Sequence, residues 1–401
     1  MGNTVVVIEH DPQIIQSADH FIELGPESGL AGGNITVEGS WEQARTNSTC
    51  LTANWMSDSA PWPNFPLHEL RHPGVQIRGA NLNNLKNLAL NIPLGGLVVI
   101  SGVSGSGKST LLEEVLFPSA RQEKPIGCSS FTVGDELRQV ILVDQNLPEG
   151  SDRSLVGTLT GSLDPIKEAF AQTDGAIALN LSAAAFSPFG TAGRCETCQG
   201  SGGSHIDLDF LARVQVVCED CSGMRFKPEI LSIRYQERSI SEVLEMPIDD
   251  LFTFFSDRKS IQQSLEPMRK VGLGHLSLGR TTETLSAGER QRLRLAMAIM
   301  ETNSFHSGKG LSKSRKKHPP YSEKNSQERG CLFLFDEPTT GLHLADVAKL
   351  LTVFNDLLVL GHSLIVVEHH LELIKRADWV IELGPEGGTQ GGYLVSEGPP
   401  L

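Results

Sequence analysis

The sequence predicts an α/β fold carrying a small cysteine-bearing insertion. Three features predict it. Hydrophobic, β-branched runs end in loops and precede helical patterns, a glycine-rich turn joins one such run to a helix, and two Cys-x-x-Cys pairs interrupt the series. With 40 glycines in 401 residues, the chain has the supply of tight turns that such a fold uses. Net charge is −14, which excludes a bulk polyanion binder and confines any nucleic-acid contact to a local basic patch. There is no apolar run of about 18 residues and no secretory signal pattern, so a cytoplasmic protein without membrane contact is expected. In that compartment paired cysteines point to metal or redox chemistry rather than disulfides.

In chain order, the first element is a repeat. Residues 7–39 reappear without a gap as residues 366–398, aligning Glu9-His10 with Glu368-His369 and Gly25-Pro26 with Gly384-Pro385. Each copy reads as a β-branched strand, a helix closing on Ala-Asp, a second short strand and a glycine-rich turn. Residues 1–45 are therefore expected to be the tail of a first domain, and residues 73–150 with 266–401 a complete second one. A linker is expected over 46–72, where Pro61, Pro63 and Pro66 accumulate; Trp55 and Trp62, with Trp41 just before, suggest that it docks on a folded surface.

The strand LVVIS (97–101) runs into Gly102-Val-Ser-Gly-Ser-Gly-Lys-Ser-Thr110 and a helix, the G-x-x-x-x-G-K-[ST] pattern in its strand–loop–helix setting. Backbone N–H groups of Gly102, Ser104, Gly105, Ser106, Gly107 and Thr110, with the helix N-terminus, can wrap phosphates; Lys108 reaches the β/γ-phosphates and Ser109 ligates Mg²⁺. The strand CLFLFDEP ends in Asp336, a second Mg²⁺ holder, and Glu337, placed to orient or deprotonate water. LSAGERQR (285–292) opens a helix through a Ser286/Glu289 capping box, with Leu293, Met297 and Met300 as a buried stripe.

Between these motifs lie Cys195-x-x-Cys198 and Cys218-x-x-Cys221. Nineteen residues separate Cys198 from Cys218, a spacing that suits a closed four-thiolate zinc site of structural type. The insertion carrying them is placed at 151–265. Residues 301–330 hold seven Lys or Arg against three Glu with few apolar residues, and read as a basic, disordered loop.

Taken together, GVSGSGKST, VDQNLPEGSDRS, GRCETCQGSG, VCEDCSGMRF, LSAGERQR, FDEPTTGLH and VVEHHLELIKRADWVIELGPEGG resemble the UvrA family of damage-recognition ATPases, within the ABC superfamily. The resemblance implies an ABC-type ATPase domain with an inserted helical signature and zinc domain, ATP, Mg²⁺ and Zn²⁺ as cofactors, and ATP hydrolysis within excision repair without nuclease activity. It implies Gln145 and His369 as further catalytic residues, and Ser286 and Gly288 as signature contacts to ATP bound on a facing domain. Implied partners are damaged double-stranded DNA, a UvrB-like subunit and a second copy through ATP-sandwiched sites. Arg194, Arg213, Arg225 and Lys227, around the cysteines, are the candidate DNA contacts. Ala287 stands where the family signature has glycine, and the segment 301–330 is longer than the family pattern. The residues leave open a non-repair ABC module, concerned with drug resistance or translation, and a catalytically silent fragment.

Overall fold

The computed structural model describes residues 2–26, 32–134, 137–144, 147, 154–208, 211–306 and 330–400. Its strands are β1 (Phe21–Gly25), β2 (Asn34–Gly39), β3 (Arg71–Ala80), β4 (Leu88–Leu94), β5 (Leu97–Gly102), β6 (Ser130–Val133), β7 (Leu137–Val143), β8 (Gly203–Leu208), β9 (Leu211–Val217), β10 (Gly330–Asp336), β11 (Ser363–Val367), β12 (Trp379–Gly384) and β13 (Tyr393–Gly398). The chain divides into two compact units, residues 1–147 with 291–401, and residues 148–290.

In the first unit a six-stranded sheet runs β13-β12-β5-β11-β10-β7, parallel except for β13. Parallel strands buried on both faces are hydrophobic throughout, and β10 obeys this: Leu332, Phe333, Leu334 and Phe335 are all fully buried. Leu332 and Leu334 join Val98, Ile100, Ile365 and Val367 in the core beneath the antiparallel sheet β4-β3-β6. On the opposite face Phe335 meets Phe354 of the helix Leu344–Val359, ring centroids 4.7 Å apart.

The repeat is structural in its second half. β1–β2 and β12–β13 are both antiparallel hairpins, each with a register shift one residue after a glutamate, Glu23 or Glu382. Its first half differs from expectation. Residues 5–8 of the N-terminal copy form no strand and are exposed, whereas their counterpart β11 lies between β5 and β10. An apolar run becomes a buried strand only where neighbours offer a ladder, and none among the described residues does.

The linker is more ordered than a connector. It contains the helix Leu51–Trp55, capped by the Cys50 thiol, which accepts from Ala53 N–H at 3.4 Å. Buried Glu23 accepts from Thr52 N–H at 2.7 Å and Leu51 N–H at 3.1 Å, so the N-terminal hairpin holds this helix. Phe21 and Trp41 pack edge to face at 5.6 Å. Further on, Trp62 contacts Trp55, His370 and the Arg376 guanidinium, and Arg376 donates to Pro63 O at 2.9 Å. Asp378 then accepts from His68 N–H and Leu97 N–H.

The second unit is helical around Phe170, Phe186, Tyr235 and Phe255. Residues 266–290, expected with residues 73–150 and 291–401, fall in this compact unit. The reason is non-local, for Leu276 O receives Ile248 N–H and Leu244 O receives Gly279 N–H. The knuckles at Cys195 and Cys218 and the hairpin β8–β9 complete this unit.

Glu23 sits below the ordinary carboxylate value of 4.5: burial raises it, and hydrogen bonds from Thr52, Thr36 and Leu51 outweigh that. A depressed carboxylate lends stability above its unfolded pKa that is lost as pH falls through the folded one. Glu23→Gln should loosen residues 40–56 by about 1–3 kcal/mol at neutral pH and flatten the acid sensitivity of that segment. Hydrogen exchange of the segment at pH 7 and in mild acid checks this; identical exchange in both proteins contradicts it.

Candidate nucleotide and metal sites

The phosphate loop leaves β5 at Gly102, whose φ is +141° and where a Cβ would come within 2.0 Å of Leu383 O. Within the loop, Lys108 donates from Nζ to Gly102 O at 2.8 Å and Val103 O at 2.9 Å. Ser104, Gly105 and Ser109 are exposed, whereas Ser106, Gly107 and Lys108 are buried and Thr110 is half-buried. Ser109 Oγ donates to Asp336 Oδ1 at 3.4 Å, so the two expected Mg²⁺ holders meet although they are far apart in sequence.

Burial pushes the Asp336 carboxyl up, with Glu337 and Glu368 adding to the shift and Ser109 and Lys108 opposing it. Glu113 is raised by burial and by the charges of Asp336, Asp144 and Glu114. Carboxylates crowded at the end of β10 beside a hydroxyl fit a divalent cation, whose charge would reverse these shifts. Glu337 has φ of +44°, a left-handed backbone that costs energy for a non-glycine residue and is found at functional sites. Its N–H donates to Val367 O at 3.0 Å. His369 follows β11 with its side chain 67% exposed. Gln145 lies outside the described residues.

Several contributors carried no motif. The turn 386–392 wraps the phosphate loop: Gly388 N–H donates to Gly105 O at 2.9 Å and Gly392 N–H to Ser106 O at 3.1 Å. Asn84 Nδ2 donates to Gly105 O at 2.7 Å. Gly392 has φ of +87° and lies where a Cβ would come within 1.9 Å of Asn84 O. Gln291 Nε2 donates to Asp336 O at 2.9 Å, tying this helix residue to the end of β10. The only signal for the turn was the glycine density at the end of the repeat.

At the signature, the capping box is present: Ser286 N–H donates to Glu289 Oε2 at 2.7 Å and Glu289 N–H to Ser286 Oγ at 3.2 Å. The hydrogen bond from His275 holds the Glu289 carboxyl down at about 2; burial opposes this, and Ser286 N–H and Arg280 reinforce it. Ser286 is exposed and Gly288 half-buried. The helix Ala287–His306 is buried along Leu293, Leu295, Ala296, Met297, Ala298 and Ile299, so the burial is wider than the expected single stripe; Met300 is half-buried.

The four module cysteines converge, with every Sγ within 4.8 Å of the others and none in a disulfide. Cys195 and Cys218 Sγ are 4.0 Å apart and Cys198 and Cys221 3.6 Å, close to the ~3.8 Å edge of a tetrahedral zinc–thiolate centre. Gly202 N–H donates to Cys198 Sγ at 3.4 Å. Against burial, such N–H donors and the neighbouring thiols lower Cys198 to about 7, and Cys221 is pushed up to about 12 by burial and its donor role. Cys50, Cys128 and Cys331 take no part. Of the basic residues nearby, Arg225 turns inward to Gly279 O and Glu245, Lys227 pairs with Glu196, and Arg194 donates to Phe189 O. Arg213 lies on β9.

Comparison with known proteins follows this geometry. No protein-family model matches the chain. UvrABC system protein A of Aquifex aeolicus is 40% identical over 409 residues, covering 100% of this chain and 41% of that protein. The protein of the same name from Bacillus subtilis is 38% identical, covering 100% and 40%. The crystal structure of UvrA2 from Deinococcus radiodurans superposes with a TM-score of 0.86 at 33% identity, covering 99% of this chain and 46% of that one. Over its whole length the chain is similar to a part of these UvrA proteins. It spans about two fifths of the length of the UvrA relatives it matches. The UvrA match runs through the cysteine module as well as the ATPase motifs, and the α/β fold with an insertion is that of the family. Among the described residues no helix is long and apolar enough to cross a membrane.

Removal of zinc should separate the two sites. Chelation, or Cys218→Ser, is expected to release about one equivalent of zinc and expose residues 190–230 to protease while nucleotide affinity stays within about twofold. Metal analysis of the freshly purified protein paired with nucleotide titration checks it; protein free of zinc as purified contradicts the assignment.

Proposed function

We propose that the chain is the ATP-binding and hydrolysing part of a damage-recognition ATPase in nucleotide excision repair, acting on damaged double-stranded DNA and handing over to a UvrB-like subunit. The observation that carries this reading is the pairing of an assembled phosphate loop and Asp336–Glu337 site with a convergent four-cysteine cluster in the insertion. The names and full-chain coverage of the relatives support it. Lys108 and the loop N–H groups hold the β/γ-phosphates, and Ser109 and Asp336 hold Mg²⁺, which when bound neutralises developing phosphate charge. Glu337 takes the proton of the attacking water or orients it, Gln145 helps place that water, and His369 contacts the γ-phosphate. Zn²⁺ on Cys195, Cys198, Cys218 and Cys221 is structural, because four thiolates leave no open position. Arg194, Arg213 and Lys227 are the proposed DNA contacts; Arg225 serves the fold of its own unit.

A P-loop of one ABC domain is completed by the signature of another. The chain therefore finishes its site with a second domain, here a second copy related by a two-fold axis. Lys108→Ala should abolish nucleotide binding, whereas Glu337→Gln should retain ATP and slow hydrolysis about a hundredfold or more. With ATP and Mg²⁺ the Glu337→Gln protein should sediment as a dimer. Equal loss of ATP affinity in both variants defeats the residue roles, and a purely monomeric Glu337→Gln protein at micromolar concentration defeats the homodimer.

Lesion recognition has its own measurement. Band shifts on lesion-bearing and intact duplex across a salt series should show preference for the lesion, with affinity falling as salt rises. Equal affinity for the two duplexes would favour a non-repair ABC module.

A further inference from the structure

We propose that Glu368 is the positioning residue that locks the Glu337 loop to the His369 loop, so that both groups at the γ-phosphate are set by one buried carboxylate. This inference rests on the proposed ATPase reading for its effect on turnover, but its geometry stands without it.

Glu368 is fully buried. Its Oε1 accepts from Thr339 N–H at 2.8 Å and from the Thr339 hydroxyl in a short hydrogen bond. Its Oε2 accepts from His369 N–H at 2.7 Å and His370 N–H at 3.0 Å. Each oxygen thus gathers one loop. Thr339 lies two residues after Glu337, in the turn where Thr340 N–H donates to Glu337 O at 3.2 Å. The strand ends are already paired, with Glu337 N–H on Val367 O and Glu368 N–H on Ile100 O, both at 3.0 Å. The carboxylate adds a side-chain tie directly behind the two proposed γ-phosphate groups.

A buried charge is costly unless every lone pair is used, and a neutral side chain would fill the same space at lower cost. Four N–H and O–H donors converging from two directions supply the reason for a carboxylate. Glutamine has one accepting oxygen and one donating NH₂, so it serves one loop and confronts the other.

The N-terminal copy of the repeat dissects the arrangement. There Glu9 Oε2 accepts from His10 N–H at 3.0 Å and Asp11 N–H at 3.4 Å, with Glu9 exposed and no threonine partner among the described residues. The tie to the histidine turn therefore belongs to the Glu-His sequence itself. The tie to Thr339 exists only where a strand like β10 brings a carboxylate loop alongside.

Hydrogen exchange on the full chain tests the latch without reference to catalysis. In Glu368→Gln, peptides covering 337–342 and 366–372 should both exchange about tenfold faster or more, with the phosphate-loop peptide 102–110 unchanged. Thr339→Val, which removes only a hydroxyl donor, should loosen 366–372 as well. Loosening confined to the substituted loop, or absent, overturns the proposal. In turnover, Glu368→Gln should lower kcat about tenfold or more while KM moves less than about twofold. In a His369→Ala background the same substitution should cost clearly less than in the parent, because one of the two groups it positions is already gone. Losses that multiply in the double variant overturn the positioning role. If the parent chain shows no hydrolysis while the exchange results hold, the ATPase reading fails and the latch stands.

Discussion

One row of residues across the parallel sheet fixes where the chemistry sits. Ile100, Val367 and Asp336 are register partners on β5, β11 and β10. Two residues beyond Ile100 the phosphate loop begins, one beyond Val367 is Glu368, and one beyond Asp336 is Glu337. In an open parallel sheet ligands gather outside the carboxyl ends of the strands, and here three strands end on the same line. Parallel pairing lets a strand slip by two residues with its side chains still facing the same way, which would carry Asp336 about 6.6 Å from Ser109. The alternation of Leu332 and Leu334 against Phe333 and Phe335 does not by itself prevent that slip. The turns beyond the strands do, through Glu337 N–H on Val367 O and Gln291 on Asp336 O.

Much of this was legible in the residues. The runs at 97–101 and 331–336 form β5 and β10, the glycine-rich turn follows β5, Asp336 and Glu337 stand at the end of β10, and the Ser286/Glu289 capping box is present. What escaped reading depended on contacts distant in sequence. That residues 266–290 fall in the second unit was not legible, because Arg269 and the segment after it bond to residues 244–249, which no local pattern reports. The helix Leu51–Trp55 was hidden because cysteine is an uncommon cap and its other anchor, Glu23, comes from the preceding hairpin. The strand expected at the start of the N-terminal copy, from residue 7, is not one, since propensity without a neighbour makes no ladder. Gln145 and most of the basic segment fall outside the described residues.

The repeat gave more than a domain count. Its two hairpins share antiparallel pairing and bulge position, yet their glutamates face different tasks. Glu23 holds the linker helix, while Glu382 accepts from the Ser396 hydroxyl of its own hairpin. Likewise Glu9 and Glu368 begin from one local geometry and diverge with their surroundings. A duplicated unit thus keeps what its backbone dictates and loses or gains what its neighbours supply.

The hairpin β8–β9 has a mechanical consequence. Its base pair Gly203 and Val217 sits against the two knuckles, with Cys218 N–H on Gly202 O at 3.0 Å and Cys198 Sγ on Gly202 N–H. Both feet of the ribbon are therefore mounted on the cluster of thiols, as a lever on a single pivot. Whatever displaces the thiols therefore displaces both strands at their base together.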